Sequence, residues 1–189
     1  APLCMLVYNE DTKSEYYEEV RYKPRPGHAD YTAYIKYGGY NDYRGGGIFS
    51  GRITVAMVMA GAIARKILTN IGVKVIAHTV EIGGIKARRL DVELIEKLAN
   101  KSPVGCADPE ASIKMMEVIK EAHRLGDSVG GVIEVIALNV PPGIGEPIFD
   151  TLEGDLAKAF FAIPGVKGVE FGVGFKAASM KGSEYNDQF

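Results

Sequence analysis

The sequence has no tryptophan, only two cysteines and only three histidines in 189 residues. Cys4 and Cys106 are too few for a disulfide framework and lack the spacing of a zinc motif, which excludes the disulfide-stapled secreted class. They fit buried or partly buried thiols in a reducing cytoplasm. His28, His78 and His123 lack zinc-ligand spacing, so no metal site is expected. Excess charge is also missing. A formal net charge of −2 leaves no electrostatic footprint for nucleic acid or a membrane surface, and neither is expected as a partner. The longest strongly apolar run, residues 53–64, is too short to span a bilayer and ends at Arg65-Lys66. The chain starts at Ala1 with no basic-then-apolar leader. A cytoplasmic protein is the expectation, and 47% hydrophobic residues are enough for one domain over 1–189 with a sizeable core.

What the chain does have is one polar, glycine-rich stretch, residues 24–54, that runs straight into an apolar helix. It contains Arg25, His28, Asp30, Lys36, Asp42, Arg44 and Arg52, with Gly45, Gly46, Gly47 and Gly51 between them. Glycines let backbone N–H groups approach a ligand without Cβ obstruction. Ser50 is a suitable N-cap for the following helix, and a helix N-terminus favours phosphate or carboxylate. Arg25, Arg44 and Arg52 supply guanidinium groups for the same anions. His28 has the one nearby side chain whose ordinary titration range suits proton transfer at neutral pH. Each feature has a plainer reading: a glycine run is commonly a turn, and a lone histidine is commonly structural. The stretch from Gly46 to Ile53 imitates the nucleotide-binding phosphate loop, but Arg52 replaces the lysine and Ile53 the hydroxyl. No apolar strand leads into it, so that reading is rejected.

The remaining pattern sets the expected elements. Residues 3–8 read as a short apolar strand, 9–11 as a turn, and the rest up to Lys23 as a loop whose Tyr16, Tyr17 and Tyr22 either pack on the core or close over a ligand. Residues 53–68 form a helix apolar nearly all round, hence buried on most sides. Residues 73–82 read as a strand ended by Gly83-Gly84, and 91–100 as a short helix. Asp108-Pro109 starts a second helix with a face of Ile113, Met116, Ile119 and Ala122, stopped by Gly126. Residues 129–140 form a strand apolar on both faces except Glu134, suited to the middle of a layered structure. Residues 141–147 read as a rigid turn, 150–163 as a helix, and 166–175 as an alternating strand with one glycine face. The tail, 181–189, is polar and aperiodic and is expected to fray. Periodicity alone suggests alternating α and β elements.

Several motifs together resemble chorismate synthase: Arg25-Pro26-Gly27-His28-Ala29-Asp30, Lys36-Tyr37-Gly38, Asp42-Tyr43-Arg44-Gly45-Gly46-Gly47, Phe49-Ser50-Gly51-Arg52 and Ala60-Gly61-Ala62. Gly126 to Gly130, Val140 to Pro147, Lys167 to Glu170 and Gly172 to Phe175 continue the resemblance in order over essentially the whole chain. The resemblance covers about the middle half of that family's usual length. The family's G-E-S-H-G segment, with a further histidine, and its later flavin-contacting segments with an arginine–aspartate pair are not in this sequence. The expectation is an internal portion, or a shortened relative, of such an enzyme.

The resemblance implies an α+β fold, a β-α-β sandwich with buried helices between antiparallel sheets. It implies a carbon–oxygen lyase of the shikimate pathway and aromatic amino acid biosynthesis. Such enzymes eliminate phosphate from 5-enolpyruvylshikimate 3-phosphate to give chorismate. The cofactor would be reduced FMN, with NADPH involved only indirectly as a flavin reductant, and the assembly a homotetramer. By motif, His28 matches a proton donor near the flavin. Arg25, Arg52 and Arg44 match substrate-binding positions, and Ser50, Phe49 and Ile48 cofactor-binding ones. Ile48 departs from the basic or polar residue many relatives carry there. The alternative expectation is a catalytically incomplete fragment that keeps only a phosphate- or flavin-binding loop.

Overall fold

The computed structural model describes residues 2–10 and 13–187. The fold is α+β, with helices of up to 17 residues and, among the described residues, one three-stranded antiparallel sheet. The chain divides into two compact units, residues 1–62 with 143–189, and residues 63–142.

The unit of residues 63–142 carries the sheet, in the order β2-β1-β3, from β1 (Lys74–Ile82), β2 (Ile85–Lys86) and β3 (Gly131–Leu138). Gly83 and Gly84 both take left-handed backbone, at φ 55° and 83°, which a tight two-residue hairpin turn requires. β1 pairs with β3 from Lys74↔Leu138 to Ile82↔Gly131, with a bulge at Val80 between Thr79 and Glu81. Next to that bulge the Thr79 amide donates to the Gly105 carbonyl at 2.9 Å, and its hydroxyl to the Val104 carbonyl at 2.7 Å. The bulge thus ties the 102–106 loop to the sheet.

One face of β1 is covered. Ile76 packs with Ile95 of α4 (Val92–Leu98), Ala99 and Ala107. His78, on the same face and buried, pairs across the strands with Glu134 at 2.7 Å, while its Nδ1 has no partner. Cys106, Ala111 and Met115 form a second cluster. Burial pushes the Cys106 thiol up.

Ala111 and Met115 belong to α5 (Pro109–Arg124), whose start and stop follow the sequence signals closely. Asp108 Oδ1 accepts from the Glu110 and Ala111 amides at 3.1 and 3.4 Å. Its Oδ2 accepts from Arg88 N and Nε at 3.0 Å. At the far end Gly126 takes φ 68°, and the Asp127 amide returns to the Ala122 carbonyl at 2.9 Å. The buried face differs from the expected one. Ala111, Ser112, Met115 and Ala122 are inside, whereas Ile113 is 63% exposed. Ala111 and Met115 pack with Cys106, so this face of α5 turns inward and Ile113 lies outside.

The other unit is poorer in buried residues. α1 (Glu15–Val20) and α2 (Asp30–Lys36) form where a loop was expected or nothing was assigned. Residues 3–8 form no strand and are exposed, and residue 11 of the expected turn lies outside the described residues. α3 (Thr54–Asn70) appears where expected but buries none of its residues. The continuous helical run Gly51–Asn70 is 20 residues, longer than its most apolar core and by length and composition long enough to cross a membrane. In the unit of residues 63–142, β3 is likewise mostly exposed and lies at the sheet edge, where the middle of a layered structure was expected. α6 (Leu152–Phe161) is capped by Thr151, whose hydroxyl accepts from the Gly154 amide at 3.2 Å.

Residues 166–175 form no strand. Gly172 and Gly174 turn at φ 60° and 56°, and a 3-10 turn follows over Gly174–Ser179. Alternation supplies faces but no partner for backbone hydrogen bonds, and among the described residues no strand pairs with this segment. α7 (Gly182–Tyr185) gives the expected tail one ordered turn, and residues 188 and 189 lie outside the described residues.

Candidate active site

The site is built on two turns of residues 25–54. In the first, Gly27 at φ 71° reverses the chain, and the His28 amide closes on the Arg25 carbonyl at 3.3 Å. The turn brings Arg25 and His28 back onto Asp30, the first residue of α2. The Asp30 carboxylate accepts from Arg25 N at 3.1 Å, Nε at 2.7 Å and Nη2 at 2.9 Å, a bidentate guanidinium clamp with a backbone bond added. His28 Nδ1 lies 2.6 Å from Asp30 Oδ1. The Arg25 guanidinium, chiefly by hydrogen bonding, holds the Asp30 carboxyl well below the usual carboxylate range. All three side chains are about two-thirds or more buried, at 32, 27 and 28% exposure for Arg25, His28 and Asp30.

Aromatic residues surround this cluster. Arg25 lies over the Tyr17 ring at 5.8 Å, and Arg21 over the Tyr43 ring at 4.4 Å. The Tyr43 hydroxyl donates to Glu18 at 2.5 Å, which raises its titration. With Tyr34 and Asn41 they line a narrow polar crevice. Sequence reasoning named Tyr17, and Tyr43 only within the Asp42–Gly47 motif, but missed Arg21, Tyr34 and Asn41. Their one signal was the density of tyrosines before the glycine run.

In the second turn Gly45, Gly46 and Gly47 are all left-handed, at φ 62°, 84° and 56°. A Cβ on Gly47 would collide with the Asp42 carbonyl, so glycine is required there. Arg52 Nη2 donates to the Gly45 carbonyl. Arg44 forms a bidentate pair with Asp42, at 2.9 and 3.3 Å. Ser50 is extended, and its hydroxyl accepts from the Arg52 amide at 3.2 Å, capping the 3-10 turn Gly51–Ile53 that leads into α3.

A groove of about 440 Å³ runs past this turn. Its polar lining includes Arg44, Gly45, Gly47, Ser50 and Arg52, and its apolar lining Met5, Ile53, Val55 and Met59. The structure thus brings Arg44, Ser50 and Arg52 to one groove. Arg25 lines the crevice instead, and a Cβ on Gly46 would sit 3.9 Å from its Nη2 and 3.4 Å from the Ser50 Cβ. Ile48 is exposed and Phe49 half-buried, and neither lines the groove. Among the described residues no group of three or more His, Cys, Asp or Glu side chains is placed to hold a metal ion.

The three arginines are not equivalent. Arg25 is neutralised by Asp30 and Arg44 by Asp42. Arg52 has no carboxylate within ion-pair distance among the described residues, and it sits at the start of α3. The uncompensated positive charge at the groove is therefore that of Arg52, reinforced by the helix N-terminus.

Comparison with known proteins is consistent across sequence and structure. The chorismate synthase family model matches residues 1–189. The chain is 58% identical over 187 residues to a chorismate synthase of Korarchaeum cryptofilum (strain OPF8), covering 99% of this chain and 52% of that protein. It is 55% identical over 188 residues to the chorismate synthase of Pyrococcus abyssi (strain GE5 / Orsay), covering 100% of this chain and 52% of that one. A solved structure described as the crystal structure of chorismate synthase superimposes with a TM-score of 0.73 at 33% identity, covering 84% of this chain and 51% of the other. The chain thus spans about half the length of the relatives it matches. On the match to the family model over all its residues, it belongs to the chorismate synthase family.

Proposed function

We propose that this chain supplies the anion-binding turn and a proton-handling histidine to a chorismate synthase, a lyase that eliminates phosphate from 5-enolpyruvylshikimate 3-phosphate. The observation that carries this reading is the groove where Arg44, Ser50 and Arg52 meet three left-handed glycines, next to the Arg25–His28–Asp30 cluster.

In this reading Arg52 and the N–H groups at the start of α3 hold phosphate and stabilise its charge as it leaves. Arg44 keeps its position through Asp42 and contributes donors rather than net charge. Ser50 fixes the entry to the helix and presents its hydroxyl to the groove. His28 exchanges a proton at its imidazole.

The groove fits reduced FMN. Met5, Ile53, Val55 and Met59 offer apolar surface for its ring system and Ser50 a hydroxyl beside it, while Arg44 and Arg52 serve the substrate phosphate. When bound, the reduced flavin supplies transient electron density to the substrate ring. A homotetramer in the cytoplasm serving aromatic amino acid biosynthesis completes the proposal.

The test is anaerobic chorismate formation from the enolpyruvyl substrate with chemically reduced FMN. It compares the 189-residue chain with the same chain set between the flanking segments of a full-length relative. Activity in the longer protein, and a loss of about a hundredfold or more on His28→Ala, are expected. Flavin binding without chorismate formation in both would replace the lyase reading with that of a binding module. Unchanged turnover in His28→Ala would remove His28 from the chemistry.

A further inference from the structure

We infer that Asp30 is the positioning residue that sets the charge state of His28. The inference rests on the role proposed above for His28 and names what controls it.

Arg25 approaches His28 closely, with Nη2 at 3.3 Å from Nδ1 and 3.4 Å from Nε2. A guanidinium at that distance opposes protonation of the ring, because two cations would then share one partly dehydrated site. Asp30 reverses the balance. Its Oδ1 lies 2.6 Å from His28 Nδ1 and accepts from Arg25 Nη2 at 2.9 Å, so one oxygen serves both groups. Its Oδ2 is taken by Arg25 N and Nε. With Asp30 ionised, the trio carries one net positive charge when His28 is protonated and none when it is neutral. Without Asp30 the counts become two and one.

The other titratable or charged groups around the cluster are Tyr16, Tyr17 and Arg21 at α1, Tyr34 on α2, and Tyr43. Arg21 is engaged with the Tyr43 ring and Tyr43 with Glu18, which leaves Asp30 as the anion in contact with His28. The short α2 is anchored by buried Ala33, so its first residue, Asp30, is held in place relative to the Gly27 turn. A purely structural Asp30 would align Arg25 and leave the proton affinity of His28 untouched. An electrostatic one must make Asp30 and Arg25 act on His28 in opposite directions.

The experiment is a pH titration of the three histidine ring resonances by NMR in the 189-residue chain and two variants. Asp30→Asn is expected to move the His28 midpoint down by about one pH unit, and Arg25→Gln to move it up by about the same. His78 and His123 should hold their positions and serve as markers of the fold. Shifts of the same sign, or no shift in either variant, would overturn the inference. If Asp30→Asn does not fold, Asp30→Ser takes its place: a fall of the His28 midpoint supports the inference, and no change or a rise overturns it. The outcome separates from that of the lyase reading. Opposite shifts with no chorismate formed would leave the Asp30 control standing and sink the reaction. Turnover that needs His28, without opposite shifts, would sink the Asp30 control and keep the reaction.

Discussion

The unit of residues 63–142 and the unit that carries the candidate site are held together in different ways. The first buries Ile76, Ile95, Ala99, Cys106, Ala107, Ala111 and Met115 around a paired sheet. In the second, Ala33 is the one buried residue among those described. Its order comes instead from charge-assisted pairs, Arg25–Asp30 and Arg44–Asp42, and from glycine turns. Partly exposed ion pairs each contribute about 0–1 kcal/mol, whereas buried apolar side chains contribute several times that. The site is thus fixed by geometry and charge on a weakly buried frame, while stability is concentrated in the other unit. Regions that bind ligands are commonly drawn from the less stable part of a fold.

The largest effect expected from this contrast is at Met115, which is fully buried. Met115→Ala should cost about 3 kcal/mol in urea unfolding. Val58→Ala removes a side chain of α3 that is 70% exposed, and should cost under about 0.5 kcal/mol. Equal costs for the two would show that α3 is covered in solution, and the contrast would fail. Next in size is Asp108→Ala, at roughly 2 kcal/mol, because it removes the cap of α5 and the partner of Arg88 together. The Asp108 carboxyl is held well below the usual carboxylate range, first by its bond to Arg88. A carboxyl lowered on folding contributes stability that is present above its unfolded value near ~4 and lost as pH falls. Thermal unfolding of the native chain should therefore drop steeply on acidification, and Asp108→Ala should flatten that drop. An acid limb unchanged in the variant would assign it to other carboxylates.

The same contrast explains what was legible in the sequence. Where structure is local and self-capped, the residues announce it: Asp108-Pro109 and Gly126 bracket α5, and Gly83-Gly84 mark the hairpin. Where an element depends on distant contacts, they do not. α1 has no apolar period and is held by Glu18 to Tyr43 and by Arg21 on the Tyr43 ring, about one site-length further along the chain. The alternation of residues 166–175 looked like a strand because sequence shows faces, not partners. The apolar character of α3 and β3 was read correctly, but burial does not follow from composition alone, and both are exposed here. Their relatives are about twice as long, and cover for such faces is a property of a whole assembly. In the site, spacing grouped Arg25, Arg44 and Arg52 with Ser50, whereas the structure brings Arg44, Ser50 and Arg52 to one groove and Arg25 to the crevice. The neutralisation of Arg25 and Arg44 was not legible, because it depends on side-chain reach to Asp30 and Asp42.

Within the site, Gly47→Ala should act on geometry more than on overall stability. The position needs φ 56°, and the added Cβ would meet the Asp42 carbonyl. The turn must open, at a cost of about 1–2 kcal/mol, and Arg44 should lose its fixed relation to Asp42. Weaker flavin or phosphate binding, measured by fluorescence quenching, is the expected readout. Unfolding of the 63–142 unit should be unaffected, and a variant that binds as tightly as the native chain would show that the glycine turn is only a connection.

The smallest expected effect separates capping from ligand contact at Ser50. Its hydroxyl accepts from the Arg52 amide, so Ser50→Ala should cost about 1 kcal/mol or less at an exposed helix start. Ser50→Asn keeps an acceptor for that amide without adding a charge beside Arg52, and should restore the cap while removing the hydroxyl from the groove. A structural serine predicts that Ser50→Ala weakens both the helix start and anion binding, and that Ser50→Asn recovers both. A serine that works at the groove predicts recovery of the helix start alone. Phosphate binding followed at constant ionic strength, alongside α3 amide exchange in the same samples, would distinguish the two. The outcome bears on the wider contrast, because only the second result makes this weakly buried frame a surface shaped for an anion.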